Sequence, residues 1–191
     1  MTDTNYPALS LKSGRDKAIK NRHPWVFSGA VKQRPKAPEG AIVAVQDNQG
    51  VVLGYGFYAP SSQIICRLFA YGATAHDFES VAYWQERFEQ AMALRQELVR
   101  SQKTNCYRLI HAEGDFFPGL ICDIYHDTAV IQLLIQATAK RKDLFVACLQ
   151  QLGFGKVYFK SKTSSAKLEN IREESRWLLG EGEEHINVTE H

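Results

Sequence analysis

The chain has 191 residues, of which 45% are hydrophobic and 23% charged, and its formal net charge is +2. That balance excludes a disordered or fibrous chain, and the length allows one domain or two small ones. Apolar runs such as Ala129 to Ile135 fall far short of the ~20 residues a bilayer crossing needs, and no apolar core follows a basic start at the N-terminus, so a cytoplasmic protein without a secretion signal is expected.

In chain order, "GRDKAIKNRHP" predicts one short helix, because Pro24 forces His23 out of helical geometry. Trp25 to Val31 follows as one extended segment. Ala41 to Asp47, Val51 to Ala59 and Gln63 to Ala70 are rich in Val, Ile, Phe and Tyr and are separated by the turn sequences "DNQG" and "APSS", which predicts three strands. Gly54 and Gly56 share one face of the middle strand and predict a bulge or a tight barrel bend. From Asp77 to Ser101 the period changes: Val81, Trp84, Phe88, Ala91, Leu94 and Leu98 recur at helical steps, with Asp77 as the expected N-cap. Beyond it, Cys106 to Glu113, "LICDIYHD" and "AVIQLLIQ" read as strands, the last two joined at a hairpin turn on Asp127-Thr128. Thr138 is the expected cap of a helix that buries Leu144, Phe145, Cys148, Leu149 and Leu152 and ends at Gly153. "KVYFKS" predicts a strand, "SSAKLENIREESRWLLGEGEE" a polar stretch with a short helix, and "HINVTEH" the start of a further strand. The expected units are 1–73, a small barrel, and 77–191, an α/β domain.

The near-neutral total hides local charge. Residues 1–36 carry eight Lys or Arg against two Asp, residues 140–168 carry seven against one, and residues 169–191 carry two against seven acids. Basic stretches point to a polyanion, although charge alone describes a solvated surface equally well. Cys66, Cys106, Cys122 and Cys148 lie far apart with no CxxC pair, so reduced, mostly buried thiols are expected rather than a zinc site.

Nucleotide chemistry of the doubly wound type needs a glycine-rich turn from strand into helix. "LGYGF" lies inside a strand, "LGFGK" runs from helix to strand, and "LGEGEE" is acidic, so none qualifies. Glu113 and Asp115 beside His111 could form an acid/base group, but Gly114, Pro118 and Gly119 make "HAEGDFFPG" foremost a turn, and such a turn can line a cleft together with Asp123. Ser164 and Ser165 lack visible His and Asp partners for nucleophilic hydrolysis. The most informative stretch, "LKSGRDKAIKNRHPWVFSGAV", gathers Lys12, Arg15, Lys17, Lys20 and Arg22 beside His23 and Trp25. Cations hold phosphates, and ring faces stack on bases. Trp25, Val26 and Phe27 are assigned to the core, since a small barrel needs its aromatic residues, and the cations are assigned to the contact surface, with Arg67 from the third strand added.

Three motifs, "LKSGRDKAIKNRHPWVFSGAV", "GYGFYAPSSQIICRLF" and "YRLIHAEGDFFPGLICDIYHDTAVIQLL", together resemble the front half of bacterial PUA-containing 23S ribosomal RNA 5-cytosine methyltransferases. The resemblance runs from Leu9 to Glu190. It implies an α+β chain: a PUA-like small β-barrel for RNA, then an incomplete strand-strand-helix-strand α/β domain, with no Rossmann catalytic domain present. On this reading the chain stops before the catalytic part and is inactive alone. It holds no cofactor, S-adenosylmethionine being required by the full-length parent, and its partner is RNA, in particular 23S ribosomal RNA, rather than a membrane. The alternatives are a stand-alone PUA-type RNA-binding module and a dimerising module that pairs through an exposed strand edge or the long helix.

Overall fold

The computed structural model describes residues 5–98, 104–161, 171, 173–182 and 185–189. Two compact units divide the chain, Met1–Phe78 and Glu79–His191.

The first unit contains strands β1 (Ala8–Leu11), β2 (Trp25–Phe27), β3 (Val31–Gln33), β4 (Ile42–Gln46), β5 (Val52–Tyr58) and β6 (Ile64–Tyr71), and one helical turn, α1 (Lys17–Lys20). They form one sheet in the order β2-β6-β5-β4-β1-β3. β2 and β3 occupy its two margins, yet only the 3-10 turn Ser28–Ala30 separates them in the chain. Laid flat, six strands would hold those margins about 24 Å apart, at ~4.8 Å per gap. Three linking residues reach roughly 10–15 Å. The sheet therefore curls into a barrel, and the expected single extended segment Trp25–Val31 is instead its clasp. Ser28 N–H donates to the Gln63 carbonyl at 2.8 Å and Lys12 N–H donates to the Ala30 carbonyl at 2.9 Å, which ties the clasp to both sides.

Leu9, Leu11, Ile19, Val26, Val31, Val43, Val45, Ile65 and Leu68 fill this barrel. Gly54 and Gly56 let β5 and β6 approach closely: a Cβ on Gly56 would lie 2.5 Å from the Arg67 carbonyl oxygen, and one on Gly54 2.3 Å from that of Ala70. The β5/β6 register shifts between Tyr55 and Gly56, which is the bulge the glycine spacing predicts.

The second unit contains α2 (Val81–Leu98), β7 (Cys106–His111), β8 (Leu120–Tyr125), β9 (Thr128–Leu133), α3 (Gln136–Lys140), α4 (Lys142–Gln151), β10 (Lys156–Phe159) and β11 (Arg176–Leu179). Its sheet runs β11-β10-β9-β8-β7, antiparallel except for β9 and β10, which are parallel and joined through α3 and α4. The expectation of an incomplete strand-strand-helix-strand unit is thus corrected. "RWLL" pairs with β10 as a fifth strand where a polar stretch was expected, whereas the described residues of "HINVTEH" form no strand. Trp84, Phe88, Phe117 and Phe145 pack between the helices and the sheet, with ring centroids 4.9–6.4 Å apart.

Several boundaries move for local reasons. The long helix starts at Val81 rather than Asp77, because Ser80 Oγ accepts the Tyr83 N–H at 3.3 Å and caps it; residues 99–101 lie outside the described residues. Leu94 is exposed instead of joining the buried stripe. Thr138 sits inside α3 and donates to the carbonyls of Ile135 (2.9 Å) and Gly119 (3.2 Å), so it is not the expected cap. The hairpin turn is His126-Asp127, one residue earlier than expected, since Tyr125 pairs with Thr128. Among the described residues no helix is long and apolar enough to cross a membrane.

Candidate nucleic-acid interface

The surface of interest begins at the end of α1. His23 N–H donates to the Ala18 carbonyl (2.9 Å) and Arg22 N–H to the Ile19 carbonyl (2.8 Å), the paired bonds of a Schellman cap. Such a cap needs a left-handed residue, and here that residue is Arg22, with φ of 61°. α4 ends through the same pair of bonds, Gly153 to Gln150 and Phe154 to Leu149, with glycine in the left-handed position. An L side chain there costs roughly 1–2 kcal/mol relative to glycine. Tyr71 helps to hold Arg22: its hydroxyl donates to the Arg22 carbonyl at 2.9 Å, and the guanidinium lies 5.8 Å from its ring centroid. Burial pushes the Tyr71 hydroxyl pKa up, and the Arg22 charge offsets part of that rise.

After this turn, β2 alternates. Val26 is buried, while Trp25 is 37% and Phe27 49% exposed. The assignment of Trp25 and Phe27 to the core is therefore corrected: in a three-residue marginal strand, one face can reach the core, and Val26 occupies it. His23, Trp25 and Phe27 form an exposed aromatic trio with centroids 6.0–6.4 Å apart. Beside it lies a recess of about 330 Å³ lined by Arg15, Ala18, Ile19, Trp25, Phe27 and Gly29, among others.

The basic residues distribute around this recess unevenly. Arg15 is on its wall. Lys12 Nζ donates to the Gly29 carbonyl at 2.9 Å, which brings that ammonium to the clasp. Arg67 stands opposite Trp25 in the β2/β6 register, on the same face. Lys17 is exposed on α1. Lys20 pairs with Asp16 at 2.5 Å; that hydrogen bond lowers the Asp16 pKa and raises that of Lys20.

The carboxylates Glu113, Asp115 and Asp123 belong to the second unit. Arg95 Nη2 and the His111 N–H each donate to Asp115 Oδ2 at 2.6 Å. Arg108 grips Asp123 through two nitrogens, at 2.7 and 3.1 Å, and its Nη1 lies 3.2 Å from His111 Nδ1. Glu113 is half-buried in the 3-10 turn Ala112–Asp115. Two of the three carboxylates are thus engaged by arginines that brace β7, β8 and α2, an arrangement that anchors a turn rather than moves a proton. Arg95 and Arg108 carry no local sequence signal, because they meet these acids from 20 and 15 residues away. Cys66, Cys122 and Cys148 are buried free thiols and Cys106 is half-buried. Among the described residues no group of His, Cys, Asp and Glu could hold a metal ion.

Residues 9–71, which span this barrel, match the PUA-like domain family. Over its length the chain is also a sequence relative of ribosomal RNA large subunit methyltransferase I. It is 32% identical to the Klebsiella pneumoniae (strain ATCC 700721 / MGH 78578) protein of that name over 194 residues, covering 100% of this chain and 48% of the relative. It is 34% identical to the Alteromonas mediterranea protein, covering 95% of this chain and 46% of the relative. The resemblance drawn from the three motifs holds, and the chain spans about half the length of the curated relatives it matches.

Two solved structures share the fold at 20% identity. One is described as "a putative SAM-dependent methyltransferase from Streptococcus mutans" (TM-score 0.74, 93% of this chain and 44% of that one), the other as "a putative methyltransferase complexed with SAH" (TM-score 0.76, 96% and 46%). The expected fold, an incomplete strand-strand-helix-strand domain with no Rossmann catalytic domain present, is corrected by these likenesses: the region shared with both structures takes in a five-stranded sheet and its helices. For the cofactor itself the fit is poor. The β9-to-α3 connection, Leu134-Ile135, contains no glycine, and the Ile135 side chain fills the space before Gly119. No step through S-adenosylmethionine is assigned to these residues.

Proposed function

We propose that the chain is the RNA-handling portion of an S-adenosylmethionine-dependent methyltransferase acting on large-subunit ribosomal RNA, with its PUA-like unit gripping the phosphate backbone. Lys12, Arg15, Arg22 and Arg67 are the inner contacts, with Lys17, Lys20 and His23 at their edge. Relatives named for ribosomal RNA methylation support the substrate class, the motif resemblance supports a cytosine of 23S RNA as the target base, and a ribosomal substrate supports a cytoplasmic setting.

One observation carries the reading: Arg22 occupies a left-handed position at which glycine would be less strained. Strain of this kind persists where function needs the side chain. The experiment is Arg22→Gly. Glycine relieves the backbone and leaves the Arg22 carbonyl available to Tyr71, so the melting temperature should not fall. Affinity for a structured ribosomal RNA fragment should drop at every sequence tested, and the slope of log affinity against log salt should shrink by about one counterion. A variant that is as stable as the parent and binds with unchanged affinity and slope would refute the assignment.

A further inference from the structure

Resting on that reading and deepening it, we infer that the Trp25–Phe27 surface takes one unpaired nucleotide, so that this unit selects looped or single-stranded RNA over duplex.

Three observations converge on it. Large aromatic side chains are ordinarily buried, yet Trp25 and Phe27 flank a buried valine and present their rings outward from a strand otherwise committed to the barrel. Their rings, and that of His23, meet edge-on or tilted rather than stacked, at 6.0–6.4 Å between centroids. None of the three rings stacks flat on another, and Trp25 and Phe27 keep 37% and 49% of their surface exposed, onto which a planar guest can lie. The adjoining recess of about 330 Å³ is at the lower end of the range for small-molecule sites, which suits one ring system and not a helix of paired bases.

The surroundings specify the guest's charge. Arg15 stands on the recess wall, Lys12 reaches Gly29 on the same wall, and Arg67 lies beside Trp25. An apolar plate rimmed by cations matches a base carrying its own phosphate, and it repels neither end of that ligand. A-form duplex hides its bases in the stack and offers only backbone and 2′-hydroxyls, for which exposed indole and phenyl rings are useless. A flipped or looped base uses both features.

The test compares a hairpin RNA bearing an unpaired loop with the fully paired duplex of the same stem, by anisotropy, using the whole chain. The parent should prefer the loop. Trp25→Ala should weaken loop binding roughly 5- to 150-fold, leave duplex binding as it was, and keep the salt slope unchanged, since stacking releases no counterion. Trp25→Phe should recover most of the loss, which separates stacking from bulk damage. Trp25 is more than half covered, so Trp25→Ala should lower the thermal midpoint somewhat and Trp25→Phe less; unchanged duplex binding by both variants shows that the barrel remains folded in the assay. If the parent binds loop and duplex equally, or if Trp25→Ala binds the loop as well as the parent, the nucleotide site is wrong while the backbone-gripping role stands. If the parent binds neither RNA, both readings fall.

Discussion

Replacing Gly56 by alanine should cost the PUA-like unit a large share of its stability. The added Cβ would sit 2.5 Å from the Arg67 carbonyl oxygen, 2.8 Å from its carbonyl carbon and 2.6 Å from the Cys66 sulfur. Two of these three obstacles are backbone atoms of the paired strand and cannot rotate away, so β5 and β6 must separate at their bulge. Overpacking of a core costs about 1–3 kcal/mol, and with backbone in the way the upper figure applies. A domain of this size loses roughly 4–8 °C of melting temperature per kcal/mol, so a fall of about 12–24 °C is expected. Differential scanning of the chain would measure it, and hydrogen exchange on β5 and β6 peptides would show which unit opens. Gly29→Ala is the control: its Cβ would meet nothing within 4 Å, and its midpoint should hardly move. A Gly56→Ala midpoint within about 4 °C of the parent would refute the close-approach reading.

Two further predictions concern the second unit. Arg141 is buried, donates through Nε (2.9 Å) and Nη2 to the Glu79 carboxylate, and donates through Nη1 to the Ala137 carbonyl at 3.0 Å. Glu79→Ala leaves that guanidinium short of its counter-charge; with Glu79 itself half in water, chemical denaturation should show a loss of about 1–3 kcal/mol, and Glu79→Gln a smaller one. Among the thiols, burial pushes Cys148 up to about 12 and raises Cys66 and Cys122 as well. The thiolate is the reactive form, so at pH 8 native alkylation should reach half-buried Cys106 first and the other three only on unfolding; mass spectrometry finding Cys148 modified as fast as Cys106 would contradict the burial.

The elements that sequence reveals here are those whose signal is local. β4, β5 and β6 are runs of strand-forming residues bounded by turn sequences, α2 repeats Trp84, Phe88 and Ala91 at helical steps, and Gly153 ends α4 where a left-handed residue is required. The misreadings arise where a different rule governs. Residue type alone puts Trp25 and Phe27 in the core, whereas the two-residue period of β2 puts both opposite Val26 and outside it. That period was visible in "WVF". β11 was obscured by the acids on either side of "RWLL", because its pairing with β10 is settled by tertiary contact rather than composition. The arginines that hold Asp115 and Asp123 were unreadable for the same reason, and with them the structural character of those acids.

The clasp Ser28–Ala30 bears on how the Trp25–Phe27 surface moves. A recognition loop can usually breathe by itself while its scaffold stays intact. Trp25 and Phe27 have less of that freedom, for they stand on the stave next to the barrel's hasp, and springing the hasp separates both margins of the sheet at once. Rigidity at this surface is inherited from the whole barrel, so a guest arriving there meets a plate already set and surrenders little entropy in ordering it.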